Sequence, residues 1–442
     1  MGPIVDPVTS DRELPHKVDV VVIGAGIVGV CTSLYLAERG LSVALCEKGE
    51  VAGEQSSRNW GWVRTTGRDS REMPLILEAQ RLWDELRERT GVDLGLRRQG
   101  VAYLAETEEK VAGFERWLAM AQPYQTGSRL LIGSELAALT PGASTSFKGA
   151  LFTPNDGRAE PQKAAPAIAE EARRHGVKLF THCAVRGLET AAGRVSEVVT
   201  ERGPIACEAV VLAGGAWSRL FCRRHRITLP QLKVRASVFR TSPVEDGPTA
   251  NLWSSKVALR KRLDGGYTIA NGHDNVVDLV PDHAAFFFDF LPALRMEWDS
   301  LRLRLNRRFI EEWRQPRNWA LDAPTPFELD RVLDPSPEAS VNNEAWRELQ
   351  RLFPVFQSAR IEQAWAGMID VTPDAVPVIS SVDSLPGFFI ATGFSGHGFG
   401  IGPGAGQLMA DLVTGSRSLV DPTPFRFSRF SDGSRPLPES GY

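Results

Sequence analysis

Three glycines and a carboxylate carry the first chemistry legible in this chain. Val18-Asp19-Val20-Val21-Val22-Ile23 runs straight into Gly24-Ala25-Gly26-Ile27-Val28-Gly29. The near-continuous apolar run predicts a strand buried on both faces of a parallel sheet. Gly24 suits the tight turn, Gly26 lets a pyrophosphate approach the backbone, and Gly29 lets the next helix pack close. That helix is expected over 27–39 and stops at Gly40, a residue type favoured just past a helix end. A second strand over 41–46 delivers Glu47, with Lys48 beside it. An acid about twenty residues past the glycines binds ribose hydroxyls in dinucleotide sites. The glycine pattern alone is weak. Strand, helix, strand and terminal acid in register predict dinucleotide binding, whereas a glycine-rich surface turn leaves Glu47 unexplained.

The elements that must position this site return twice. A helix entered through Pro161 and a strand over 177–180 precede a small meander over 185–207 that turns at Ala192-Gly193. Ala209 to Leu212 is a further buried strand, ended by Ala213-Gly214-Gly215-Ala216-Trp217, small residues that let a nucleotide near the backbone. The last return is the strand Phe388 to Thr392, then Gly393-Phe394-Ser395-Gly396-His397-Gly398-Phe399-Gly400. Pro403 suits the first turn of a helix expected over 404–413, whose N-terminus offers N–H groups and positive dipole to an anion.

Composition narrows the class. At 442 residues the chain exceeds one hydrophobic core, so two domains are expected. A net charge of -3 and a pI near 6.2 argue against a nucleic-acid partner. The five cysteines (31, 46, 183, 207 and 222) show no disulfide or metal-type spacing and read as buried thiols in a reducing compartment, with no metal site. The first seventeen residues lack the apolar core of a secretory signal, and no stretch has the length of a membrane span. A cytoplasmic protein, in places peripheral to the inner membrane face, is the expectation.

Four blocks carry a family resemblance. They are the N-terminal glycine fingerprint; Gly53-Glu54-Gln55-Ser56-Ser57-Arg58-Asn59; Val210-Val211-Leu212-Ala213-Gly214-Gly215; and Trp365-Ala366-Gly367-Met368 with Thr372-Pro373-Asp374 and residues 393–400. Together they resemble the flavin-dependent amine and amino acid oxidases of the D-amino acid oxidase superfamily. Within it the chain is most similar to bacterial membrane-associated L-amino acid deaminases. That likeness rests on Gly53 to Ser56, residues 183–190 and 213–221, Phe353-Pro354-Val355-Phe356 and Asp421-Pro422-Thr423-Pro424-Phe425.

The resemblance implies an α/β fold: a Rossmann-type, glutathione reductase-like FAD-binding domain over 1–75, 157–232 and 361–442, and an α+β substrate domain with an antiparallel sheet over 76–156 and 233–360. Both are discontinuous. It implies FAD rather than NAD, and the third glycine block agrees, because reduced flavin is anionic near N1. It places cofactor contacts at Gly24, Gly26, Ile27, Gly29, Glu47, Lys48, Gln55, Ser56, Ser57, Arg58, Asn59, Trp60, Gly61, Val185, Ala213, Gly214, Trp217, Gly367, Gly393, Ser395, Gly396, His397, Gly398, Phe399 and Gly400. Some relatives carry a covalently attached histidine where Arg58 stands, so non-covalent FAD is expected. The implied reaction is hydride transfer from a substrate Cα to flavin N5, the imine then hydrolysing to a keto acid and ammonia.

Amino acid substrates need a cation for their carboxylate, and arginine suits it by bidentate geometry. Many relatives place it after the Trp-Ala-Gly block, where this chain has Asp370. In the deaminase-like alignment the role falls on Arg260, on one strand face with Ala258 and Arg262; a solvated basic edge strand is the alternative. Asp370 either faces a substrate amine, as its likeness to sarcosine oxidase beta subunits suggests, or caps the turn at Thr372-Pro373. His397 either stabilises reduced flavin or contacts substrate, or is structural. Trp60 and Trp62 line the flavin or pack in the core.

An insertion over 276–325 joins Phe286-Phe287-Phe288, Phe290, Leu291 and Leu294 to Arg302, Arg304, Arg307 and Arg308. Residues 284–294 suit a segment lying in a membrane interface, as the related deaminases imply, although a lid or homo-oligomer contact is the preferred reading. Three functions stay open: oxidative deamination of an amino acid with oxygen or quinone as acceptor; oxidation of a secondary amine of N-methyl amino acid or opine type, as one subunit of a larger complex; and an NAD-dependent dehydrogenase.

Overall fold

The computed structural model describes residues 2–434 and 436–439. One sheet holds, in spatial order, Lys178–Phe180, Val43–Cys46, Val20–Ile23, Ala209–Leu212, Phe388–Thr392 and Val378–Ser381. The first five are parallel and the last is an antiparallel edge. Val20 and Val22 join the core under the helices Ile27–Glu38, Met73–Thr90, Pro161–Arg174 and Gly398–Thr414. Val21 points the other way, into the core under the meander Val185–Ala191, Arg194–Thr200 and Gly203–Ala206. Burial on both faces is why these strands read as unbroken apolar runs.

A second sheet of ten strands lies across this domain. Its centre is Leu232–Thr241, paired antiparallel to Tyr267–Ala270 on one side and to Ile361–Val371 along its length. Beyond them come Ala258–Lys261, Asn251–Trp253 and Val101–Ala105. The helix Ala339–Leu352 seals one face through Ala345 and Leu349, packed among Phe239, Leu259, Tyr267 and Phe356. Trp365, Val238 and Ala270 lie on the opposite face, against Trp60 of the nucleotide domain.

Two boundaries differ from expectation. Residues 361–371, assigned from sequence to the nucleotide domain, form a strand of the second sheet, because their backbone pairs with Leu232–Thr241 from Leu232↔Val371 onward. The last helix begins at Gly398, six residues before Gly404, with Pro403 inside it. Tertiary packing overrides the proline. A Cβ at Gly402 would sit 2.7 Å from the Ile27 side chain, and one at Gly406 2.6 Å from Cys31 Cβ. The glycines thus seat this helix on Ile27–Glu38 so closely that the helical path is set from Gly398.

The insertion folds as the strands Asn275–Asp278 and Leu301–Arg304 with the helices Pro281–Ala285, Phe287–Met296 and Arg307–Arg314. All five cysteines are buried and free. No helix of the described residues is long and apolar enough to cross a membrane.

One buried carboxylate fixes the loop that follows the Trp62–Val63 strand. Asp156, fully buried, accepts hydrogen bonds from the backbone N–H and hydroxyl of both Thr65 and Thr66 and from Gln80 Nε2, at 2.7–2.9 Å. Asp156→Ala strands these donors and is expected to cost at least about 3 kcal/mol, read as the shift of a urea unfolding transition. A loss under about 1 kcal/mol would show that water replaces the carboxylate without penalty.

Candidate active site

The Gly24–Gly29 turn is built by backbone contact. A Cβ at Gly24 (φ +100°) would lie 2.5 Å from the Ala213 carbonyl oxygen, and one at Gly29 would lie 1.9 Å from that of Gly24. Gly26 differs: an added Cβ would meet only Ser56 Oγ, at 3.0 Å. The free side of Gly26 faces a cleft with about 1240 Å³ of empty space, its open mouth included. At its wall Ser56 Oγ accepts the Ile27 N–H at 2.9 Å. Glu47 accepts the N–H groups of Ala25 and Gly49, both at 2.8 Å, and burial pushes its carboxyl up.

Of the residues expected at a cofactor, Gly24, Gly26, Ile27, Glu47, Lys48, Gln55, Ser56, Asn59, Val185, Ala213, Gly214, Trp217, Gly396, Gly398 and Phe399 line this cleft. Others support it from behind. Gly29 packs the first helix, Ser57 Oγ donates to the Glu54 carbonyl at 3.1 Å, and Gly367 takes the Gln55 side chain, whose Oε1 would sit 1.9 Å from an added Cβ. Gly400 abuts the Trp62 carbonyl. Arg58 turns aside, donating to Asp334 at 2.7 Å and to the Ala366 carbonyl at 2.8 Å.

Asp370 lines the cleft and holds its C-terminal rim. Its Oδ2 accepts the Gly393 N–H at 2.6 Å, Gln231 Nε2 at 3.1 Å and Thr392 Oγ1 at 3.2 Å. Burial pushes this carboxyl up, and the donors oppose the shift. The Ser395 N–H donates to the Asp370 carbonyl at 2.9 Å, so one residue clamps both ends of the 393–395 turn. His397 caps the last helix just outside the cleft, its Nδ1 3.2 Å from Glu72 Oε2. Burial and Arg68 push the imidazole down, against Glu72. Burial pushes Glu72 up, but its neighbours outweigh it and hold the carboxyl at about 2. Arg68 Nη1 lies 3.2 Å from the same Glu72 oxygen.

Arg260 already has an acid. Its guanidinium is 3.0 Å from Glu160 Oε1, donates to Thr268 Oγ1 at 3.0 Å and to the Ala159 carbonyl at 3.2 Å, and is 1% exposed. The arginine face expected from strand alternation exists, and it meets Glu160 behind Gly61 instead of opening on the cleft.

Residues not among the expected cofactor contacts also line the cleft: Glu54, Phe327, Met368, Ile369 and Phe394. Lys48 Nζ reaches Glu54 at 2.7 Å and the carbonyls of Asp330 and Arg331 at 3.0 and 2.8 Å. Glu54 also accepts from Trp217 Nε1 at 3.0 Å and from the Leu333 N–H at 3.1 Å. The chain after the insertion is thereby strapped beside Lys48 and Glu54 at the cleft wall. The capping pair Thr325 and Glu328 was the available signal for its start.

The site fits a dinucleotide on two counts: open space at Gly26 beside a helix N-terminus, and a buried carboxylate at Glu47.

Comparison with known proteins agrees. A family model described as "DAO: FAD dependent oxidoreductase" matches residues 19–412. The chain superposes on the L-amino acid deaminase of Proteus myxofaciens with a TM-score of 0.93 at 34% identity, covering 98% of this chain and 97% of that one. It is 27% identical to the glycine oxidase of Geobacillus kaustophilus over 94% of this chain and 98% of that protein. It is 23% identical to the sarcosine oxidase beta subunit of Rhodobacter capsulatus over 96% and 91%. Fingerprint, cleft and these likenesses converge: the chain belongs to the DAO family of FAD-dependent oxidoreductases.

Proposed function

We propose that this enzyme binds FAD non-covalently and oxidatively deaminates an amino acid to a keto acid and ammonia. The supporting observation is the cleft itself, which joins a pyrophosphate-type helix N-terminus at Ile27 to a second one at Gly398. FAD held there supplies the two-electron acceptor for the hydride that leaves the substrate Cα. The chain's part is placement. The Ile27 end would hold the phosphates, Glu47 would hold the ribose hydroxyls, and the Gly398 end would offer positive dipole to negative charge on reduced flavin. Asp370, whose Oδ2 takes three donors, positions this rim.

The likeness to sarcosine oxidase beta subunits supports a second reading, a secondary-amine oxidoreductase needing partner chains. Anaerobic mixing with a panel of L- and D-amino acids, N-methyl amino acids and opines separates the two, whatever the acceptor. The proposal expects a yellow, single-chain species bleached by primary amino acids, with keto acid and ammonia formed in equal amounts. Bleaching by N-methyl substrates alone, or only after a partner is added, establishes the second reading.

Gly26→Val tests the cofactor site. Only the Ser56 hydroxyl, 3.0 Å from the new Cβ, must give way, and the side chain then fills the pyrophosphate's space, so the variant should fold yet purify colourless. Full flavin content would remove the turn from the site. Acid precipitation of the wild type should leave the yellow colour in the supernatant, as non-covalent binding requires.

The insertion supports placement at a membrane surface. Phe288 is 84% exposed, Leu305 74%, Trp313 62% and Trp298 59%, on a segment that also carries Arg304 and Arg307. Vesicles containing anionic lipid should sediment the protein, and deletion of 284–294 should weaken that binding. Equal sedimentation of the deletion variant would assign these side chains to contact between copies or to a lid.

A further inference from the structure

The geometry points to a second ligand site in this chain, a pocket between the nucleotide domain and the insertion that takes a phosphate monoester. The pocket holds about 510 Å³ of empty space, its open mouth included. Trp217, 8% exposed, lines both this pocket and the cofactor cleft, so the two cavities meet at one buried side chain. The helix Ser218–Arg224 brings Arg219 and Arg223, and the strand Leu232–Thr241 brings Lys233. The insertion brings Asp282, Glu312 and Arg317.

Charge decides what the pocket can hold. Four cations line it, Arg219, Arg223, Lys233 and Arg317, against two carboxylates, Asp282 and Glu312. Both acids are already shared. Asp282 takes the Arg219 fork through two bonds, at 3.1 and 3.2 Å, and stands 3.6 Å from Arg223. Glu312 accepts Lys233 at 2.9 Å and, from outside the lining, Arg308 at 3.2 Å. Asp330 acts on Lys233 from the strapped segment, but Lys48 and Arg308 draw on it as well. Arg317 pairs with no acid among the described residues. Burial pushes the Arg223 guanidinium down, Arg317 pushes it further, and Asp282 opposes them. The lining thus keeps two positive charges that its own acids do not offset.

This surplus is not spread over open surface. Arg219, Lys233, Asp282 and Glu312 are each at most 21% exposed, so the field is screened less than at a solvated patch. A phosphate monoester carries about two negative charges at neutral pH and three free oxygens, which matches the surplus. A lone carboxylate engages one guanidinium fork and leaves the second charge unmet. The pocket is also joined to the rim of the cofactor cleft. The Arg219 N–H donates to Gln231 Oε1 at 3.0 Å, and Gln231 Nε2 donates to Asp370 Oδ2 at 3.1 Å. A phosphate held by Arg223 and Arg317 therefore ties the insertion to the helix that this glutamine anchors, and its binding stabilises the folded chain.

The test uses the FAD-loaded enzyme, so that the cofactor cleft is filled. The unfolding temperature is followed against inorganic phosphate, with ionic strength held constant by sodium chloride. The wild type should rise to saturation, and Arg317→Gln and Arg223→Gln should each raise the apparent dissociation constant at least about tenfold. Arg317→Gln is the cleaner variant, since no ion pair or hydrogen bond of the described residues is lost with it. Flavin content should be unchanged in both. A phosphate response no larger than that of sodium chloride, or equal affinity in the wild type and both variants, overturns the proposal. Vesicles of phosphatidylcholine carrying phosphatidic acid then separate the sources of the phosphate. Weaker sedimentation of Arg317→Gln than of the wild type assigns the site to a lipid headgroup. Equal sedimentation, beside weakened binding of inorganic phosphate, assigns it to a soluble phosphate ester.

Discussion

Backbone lying directly on backbone is the constraint on which the rest of this structure depends. Gly29 admits the Gly24 carbonyl oxygen to 1.9 Å of where a Cβ would sit, and Gly406 admits Cys31 Cβ to 2.6 Å of its own. The first contact draws Ile27–Glu38 onto the central strands, and the second draws Gly398–Thr414 onto that helix. Two helix N-termini from opposite ends of the chain then open on one cleft. A side chain at either glycine would need backbone or packed core to move, at a cost beyond ordinary overpacking. Gly26 shares the motif but not the constraint, which divides it into packing positions and one binding position.

The second sheet completes what the helices begin. Its longest pairing, Leu232–Thr241 with Ile361–Val371, carries Met368, Ile369 and Asp370 to the cleft. Asp370 spends its carboxylate on the Gly393 turn, so the sheet of one domain sets the rim of the other. The insertion adds a tie from the same side: Arg308 Nη1 contacts Met368 Sδ at 3.3 Å, and Lys233 pairs with Glu312 at 2.9 Å. Cofactor cleft, sheet and insertion are therefore mechanically continuous.

Legibility followed the range of the interaction that made each feature. The strand–turn–helix at 20–38, the acid at 47 and the strands 209–212 and 388–392 are local patterns, and their extents were readable from periodicity. The start of the last helix was not, because Pro403 signals a first turn locally while its packing on Ile27 and Cys31 decides otherwise. The membership of 361–371 in the second sheet rests on pairing with residues more than a hundred positions earlier, beyond any window. The strap over Lys48 and Glu54 is likewise held by carbonyls of residues 330 and 331.

Arginine shows the same limit most sharply. Fifty-one lysines and arginines nearly balance fifty-four acids, so composition does not reveal which cation stays unpaired. Alternation drew attention to Arg260. Its strand exists in the structure. What the pattern could not show is a partner a hundred residues away in sequence, Glu160, which gives Arg260 its acid. A buried arginine with its carboxylate is a structural tie, since parting the pair would strand a charge.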